Sequence, residues 1–140
     1  MEKPKAVLFD AYGTLFDVYS VGLLAEQLFA GQGQALSVLW RDKQIEYTRL
    51  VTTSSHGAHY QPFWALTQAA LRYSCKKLGL VLTPAHEHQL MNQYRHLSAF
   101  PENREVLQAL KATGIVTGIL SNGDPDTLGV AAKSAGLAGL

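Results

Sequence analysis

The stretch Ala6-Val7-Leu8-Phe9-Asp10-Ala11-Tyr12-Gly13-Thr14 sets a short continuous apolar run against a carboxylate and then a turn. Such a run, stopped by Asp and Tyr-Gly, fits a strand buried on both faces of a parallel sheet. Asp10 would then stand at the strand's carboxyl end, where open α/β sheets bind their ligands. Its backbone neighbours can donate hydrogen bonds that keep the carboxylate ionised and nucleophilic. On this stretch alone the plainer reading stays open: an Asp that forms a turn beside Ala-Tyr-Gly-Thr, since Asp and Gly suit turns.

Working outward, a second apolar run, Ile115-Val116-Thr117-Gly118-Ile119-Leu120, ends in Ser121-Asn122-Gly123. Polar groups again follow a buried strand, and the two strand ends are expected to face one crevice. Between the runs the periodicity is helical. Val21, Leu24, Ala25 and Leu28 share a face, and Leu36, Leu39 and Trp40 begin another. Phe63, Leu66, Thr67, Ala70, Leu71, Ser74 and Leu78 form a third stripe. Leu90, Met91, Tyr94 and Leu97 form a fourth, behind a Thr83-Pro84 start that reads as N-cap and first helical residue.

Gly31-Gln32-Gly33 and Thr53 to Gly57 read as interruptions, and Ala99-Phe100-Pro101 as the return to the α/β part. Residues 102–113 form a helix with Val106, Leu107 and Leu110 inward and Gly114 as its stop. Asp124-Pro125 caps a last helix over 126–135, ended by Gly136. The expected architecture is α/β, with a parallel-sheet core over 1–16 and 98–140 and a compact helical insertion over 17–97.

Composition narrows the function classes. The 140 residues are 47% hydrophobic, enough for one domain with a sizeable core. Twelve Lys and Arg against eleven Asp and Glu leave a net charge of +1, which makes no field for nucleic acid or an anionic membrane. Cys75 is the single cysteine and cannot form an intramolecular disulfide. Met1 leads to a short apolar run rather than to a signal segment, and no run approaches the roughly 20 residues that span a bilayer. A cytoplasmic protein is expected. Of the five histidines, His86 and His88 lie two apart on a helix and point to different faces, so no metal site is read among them. Lys76, Lys77 and Lys111 read as solvated helix faces, and Cys75 as a packed or half-exposed inert thiol.

Val7 to Asp17 resembles motif I of the haloacid dehalogenase superfamily, and Leu120-Ser121-Asn122-Gly123 resembles its motif II. Leu39-Trp40-Arg41-Asp42-Lys43-Gln44-Ile45-Glu46-Tyr47 is similar to the cap helix of the superfamily's 2-haloacid dehalogenases, as is the later Gln61-Pro62-Phe63-Trp64 segment. The likeness runs from about Val7 to Gly136. It implies a Rossmann-like core, incomplete here, with an inserted helical-bundle cap.

It also implies chemistry. Asp10 would be the nucleophile that forms an ester, Thr14 its support, and Arg41 with Asn122 the acceptors of halide. Ser121, Ala11 and Tyr12 would hold the substrate's carboxylate side. Tyr12, Ile45 and Phe63 would line its alkyl carbon, although Ile45 and Phe63 equally suit plain core positions. Superfamily phosphatases usually carry a second Asp, as acid for a departing alkoxide, where this chain has Tyr12; halide leaves without a proton.

The resemblance thus implies hydrolysis of small (S)-2-haloalkanoic acids to (R)-2-hydroxy acids, with no cofactor and no metal. It implies homodimers of the full-length form, with a 2-halocarboxylate and halide as ligands and neither nucleic acid nor membrane as partner. The alternatives are a magnesium-dependent phosphatase of the same fold and a catalytically silent fragment. Asp42 departs from the uncharged polar residue expected beside the family's Arg and would bias substrate size or charge. The family's later motifs, with a Lys and with acidic or amide groups, would lie beyond Leu140. The 140-residue chain is therefore expected to be part of a longer product, with strand faces and edges that lack partners.

Overall fold

Ala6–Phe9 forms strand β1, which pairs in parallel with Val116–Ile119 of the second apolar run. The register sets Ala6 opposite Val116 and Phe9 opposite Ile119, and the Leu120 N–H continues the ladder onto the Phe9 carbonyl at 2.9 Å. Asp10 and the segment from Leu120 to Gly123 therefore leave the sheet at the same carboxyl edge, as the two strand ends were expected to do. The computed structural model describes residues 2–140. Met1, ahead of this strand, lies outside the described residues.

Burial of β1 on both faces does not hold. Leu8 is 63% exposed and its neighbour strand's Val116 is 67% exposed, while Val7 and Phe9 are half-buried. The reason is one-sided cover. Helices α5 (Asn103–Ala112) and α6 (Pro125–Ser134) put Leu107 and Ala132 beside Phe9 and Thr117 around a common hollow of about 320 Å³. No described strand flanks the pair. Val106, expected inward, is 48% exposed, because one step along the helix turns it about 100° from the buried Leu107. Helix α6 begins at Pro125 and ends at Ser134; Asp124 occupies its N-cap but makes no side-chain cap bond, and its carbonyl accepts the Leu128 N–H at 2.9 Å.

Two-residue strands β2 (Phe16–Asp17) and β3 (Ser98–Ala99) pair antiparallel where the chain leaves and rejoins this sheet unit. They place Asp17 and Ser98 with the sheet unit, so the second compact unit runs from Tyr19 to Tyr94 rather than from 17 to 97. With the parallel strand Val116–Ile119 numbered β4, the sheet unit holds the segments up to Val18 and from Arg95.

The second unit is helical: α1 (Gly22–Leu28), α2 (Gly33–Thr53), α3 (Phe63–Lys77) and α4 (Pro84–Tyr94). The expected stripes are its core. Val21, Ala25, Leu36, Trp40, Leu66, Leu71, Leu90 and Met91 are all buried. Leu78 is half-buried at the end of α3, and Leu97, also buried, lies past the end of α4. Between α1 and α2 the Glu26 carboxylate accepts the N–H groups of Gly31 and Gly33, the latter at 2.8 Å. Those two bonds hold the Glu26 carboxyl below its ordinary range. Thr83 caps α4 as expected, its Oγ1 accepting the His86 N–H at 3.1 Å. No described helix is long and apolar enough to cross a membrane.

Candidate active site

The turn after β1 is built around one carbonyl. Ala11 O accepts the N–H groups of Thr14, Leu15 and Phe16 at 3.2, 2.8 and 3.0 Å, while the Gly13 N–H donates to Phe16 O at 2.8 Å. Gly13 sits at φ +97°, a conformation that side-chain-bearing residues rarely adopt. The amides from Gly13 to Phe16 are thus taken up inside the turn. The hydroxyl of Thr14 donates to Asp10 Oδ2 at 3.1 Å. Asp10 and Thr14 are exposed, while Ala11 and Tyr12 between them are buried and anchor the turn.

The second turn lies against the first. A Cβ added at Gly123 would stand 2.9 Å from Tyr12 Cε2, so only glycine lets this backbone approach the ring so closely. Tyr12 in turn packs on Phe16, with ring centroids 6.2 Å apart. Ser121 Oγ accepts the Gly123 N–H at 3.0 Å, which is the turn-serine role, and the accepting hydroxyl still has its own hydrogen to give to an anion. Ser121 is half-buried and Asn122 exposed. Asp10, Ala11, Tyr12, Thr14, Ser121 and Asn122 therefore gather at one edge of one sheet.

Arg41, Ile45 and Phe63 belong to the helical unit. Arg41 is half-buried on α2, and its Nη1 donates to Gln44 Oε1 at 2.8 Å. Ile45 is half-buried, Phe63 is 7% exposed at the start of α3, and Asp42 is exposed. Among the described residues no three His, Cys, Asp or Glu side chains gather as a metal would need.

A family model described as "haloacid dehalogenase-like hydrolase" matches residues 4–140. The chain belongs to the haloacid dehalogenase-like hydrolases. It is 45% identical over 123 residues to (S)-2-haloacid dehalogenase H-109 of Pseudomonas putida, an alignment covering 88% of this chain and 54% of that protein. A crystal structure of an L-2-haloacid dehalogenase matches with a TM-score of 0.93 at 57% identity, over 99% of this chain and 61% of that one. The L-2-haloacid dehalogenase of Xanthobacter autotrophicus with chloropropionic acid covalently bound matches with a TM-score of 0.88 at 37% identity, over 97% of this chain and 54% of that one. The chain thus spans between half and two thirds of the length of these relatives.

Two residues that the sequence pattern does not mark bond to candidate site residues. Asn103 is one: its Nδ2 donates to Thr14 O at 3.0 Å and Leu15 O at 2.9 Å, tying α5 to the Asp10 turn. An Asn just after Pro101 reads as an ordinary helix start, and only the fold brings it to a turn 89 residues away. Gln44 is the other, on α2, where its Oε1 accepts from Arg41. Cys75 is buried as expected, and burial pushes its thiol up to about 11, so it stays protonated and unreactive.

Proposed function

We propose that this protein hydrolyses small (S)-2-haloalkanoic acids to (R)-2-hydroxy acids through an ester on Asp10. The hydrogen bond from Thr14 Oγ1 to Asp10 Oδ2, at the carboxyl edge of the sheet, carries the reading. It fixes one carboxylate oxygen and leaves the other to attack C2 of the substrate in line with the carbon–halogen bond. As the new C–O bond forms, the electron pair of the carbon–halogen bond leaves with the halide and C2 inverts. Buried Tyr12 suits this step, because a halide departs without a proton whereas an alkoxide leaving a phosphate would need an acid at that position.

Arg41 and Asn122 receive the halide, whose charge develops only as the bond breaks, so their help falls on the transition state. Ser121 and the Ala11–Tyr12 turn hold the substrate carboxylate, and Tyr12, Ile45 and Phe63 face its alkyl side. Water then attacks the carbonyl carbon of the Asp10 ester, and the acyl C–O bond breaks. The 2-hydroxy acid leaves and the Asp10 carboxylate returns; overall one water is consumed and halide and a proton are released. We extend the proposal to a cytoplasmic protein that forms a homodimer in its full-length form, needs no metal and has no nucleic-acid or membrane partner.

Incubation with (S)-2-chloropropionate, followed by peptide mass spectrometry and a chloride electrode, tests it. The lactyl ester is expected on Asp10, unaffected by EDTA, and Asp10→Asn should reduce ester and chloride to background. Absence of any adduct on Asp10 overturns the reading, as does magnesium-dependent hydrolysis of a phosphate monoester in its place.

A further inference from the structure

Gln44 and Thr67 are polar side chains with no accessible surface in the helical unit. Thr67, like the buried Ser74, bonds back to its own helix: Thr67 Oγ1 donates to Phe63 O and Ser74 Oγ to Ala70 O, each at 2.8 Å. A buried hydroxyl satisfied in this way explains itself. A buried primary amide does not, because it costs free energy unless all its groups are bonded, and an apolar side chain would fill the space more cheaply.

The bonds of Gln44 join three helices. Nε2 donates to Thr67 Oγ1 on α3 at 2.7 Å, and Oε1 accepts from Tyr94 OH on α4 at 2.9 Å and from Arg41 Nη1 on its own helix at 2.8 Å. The direction of the amide is dictated. Thr67 Oγ1 gives its only hydrogen to Phe63 O, so toward Gln44 it can only accept, and Gln44 must present its NH₂ there. Its carbonyl oxygen is then forced toward Arg41 and Tyr94. Tyr94 stays a donor: burial pushes its hydroxyl up to about 12 against the pull of Arg41 and Gln44. Trp40 braces both partners, donating from Nε1 to Thr67 O at 2.8 Å and packing on the Tyr94 ring at 5.2 Å.

We propose that Gln44 is a positioning residue for Arg41: its amide, aimed by Thr67, holds the guanidinium in one orientation before halide arrives. A pre-set donor needs no reorganisation as charge develops, which is where its electrostatic value lies. The inference rests on the reading of Arg41 as the halide acceptor. It adds that the orientation of Arg41 is set by residues that touch neither substrate nor halide.

The test separates the two claims. In protein labelled with ¹⁵N-arginine, with Arg41 assigned by its loss in Arg41→Lys, the Nη signals of Arg41 should be resolved by slow guanidinium rotation. Gln44→Leu should merge them. Thr67→Val, which keeps side-chain shape and removes the acceptor that aims the amide, should move them the same way, and Gln44→Glu, which keeps an acceptor, should leave them resolved. In both Gln44→Leu and Thr67→Val the maximal rate of ester formation on Asp10 should fall about tenfold at unchanged half-saturating (S)-2-chloropropionate. Melting curves report folding, and Thr67→Val decides if Gln44→Leu does not fold. Resolved Arg41 signals in folded Thr67→Val, or a lower melting temperature with an unchanged rate per folded molecule, overturn the proposal. Merged signals beside a wild type that forms no ester keep Gln44's positioning role and remove the dehalogenase reading instead.

Discussion

In the helical unit Leu36, Leu71 and Leu90 have no accessible surface, whereas in the sheet unit Leu8, Val116 and Leu120 are 63%, 67% and 70% exposed. The helical unit closes its own core and can afford an enclosed amide at its centre. The sheet unit covers one face of a two-stranded ladder, yet it carries Asp10, Thr14, Ser121 and Asn122. The Asp10 turn is held by directed bonds: three amides on Ala11 O, one hydroxyl on Asp10 and one Asn103 amide on two carbonyls. Order at the candidate site thus comes from hydrogen-bond geometry, and order around Arg41 from packing plus a buried network.

The contrast is broken most easily by matched truncations. Leu71→Ala should destabilise the helical unit by about 2–5 kcal/mol, since a fully enclosed Leu leaves a cavity when shortened. Leu8→Ala, largely exposed, should cost no more than about 0.5 kcal/mol. Trp40 and Trp64 both lie in the helical unit, so urea unfolding followed by tryptophan fluorescence reports the first loss directly. Peptide-resolved hydrogen exchange over residues 6–9 reports the second. Equal losses would mean that the two units share one core after all.

A smaller effect sharpens the idea that bonds, rather than packing, fix the Asp10 turn. Asn103→Ala removes two hydrogen bonds to Thr14 O and Leu15 O and should destabilise the sheet unit by about 1–2 kcal/mol. Ester formation on Asp10 should slow by several-fold while the tryptophan unfolding curve stays unchanged. A shifted tryptophan curve at unchanged ester formation would place Asn103 with general stability.

What was legible in the sequence was whatever local pattern encodes. The run ending at Asp10 and the run ending at Ser121 state their strands through apolarity and turn residues. The stripe from Phe63 to Ser74 states its buried face through a 3.6-residue period. Thr83-Pro84 states a helix start through capping chemistry. What was illegible depended on partners far along the chain. Val106 and Leu107 are adjacent apolar residues of a short helix, and only the position of the sheet decides which one faces it. The Phe16–Asp17 and Ser98–Ala99 pairing is too short to carry a period. A glutamine one turn after Arg41 reads as a solvated helix face until Thr67 and Tyr94, 23 and 50 residues away, are seen to close over it.

The helical unit also has a polar clasp on its outside, and this tests whether closure depends on charge. Arg72 Nε and Nη2 fork onto the two oxygens of Glu87 at 2.6 and 2.8 Å, and Gln68 Nε2 adds a bond of 2.8 Å, joining α3 to α4. The Arg72 guanidinium first, and the Gln68 amide after it, hold the Glu87 carboxyl below its ordinary 4.5, against the opposing effect of burial. A carboxyl whose folded pKa is lowered binds fewer protons folded than unfolded. Its stabilisation is therefore complete above the ordinary value and is lost as pH falls through the folded one. Arg72 is 61% exposed, so solvent screens the pair and the effect is the smallest of the series. The melting temperature of the wild type should exceed that of Glu87→Gln by a few degrees at pH 7, and the two should converge as pH drops below about 4. A gap that is constant with pH would show that the charge of Glu87 adds nothing to the clasp, which would then act through packing and uncharged hydrogen bonds alone.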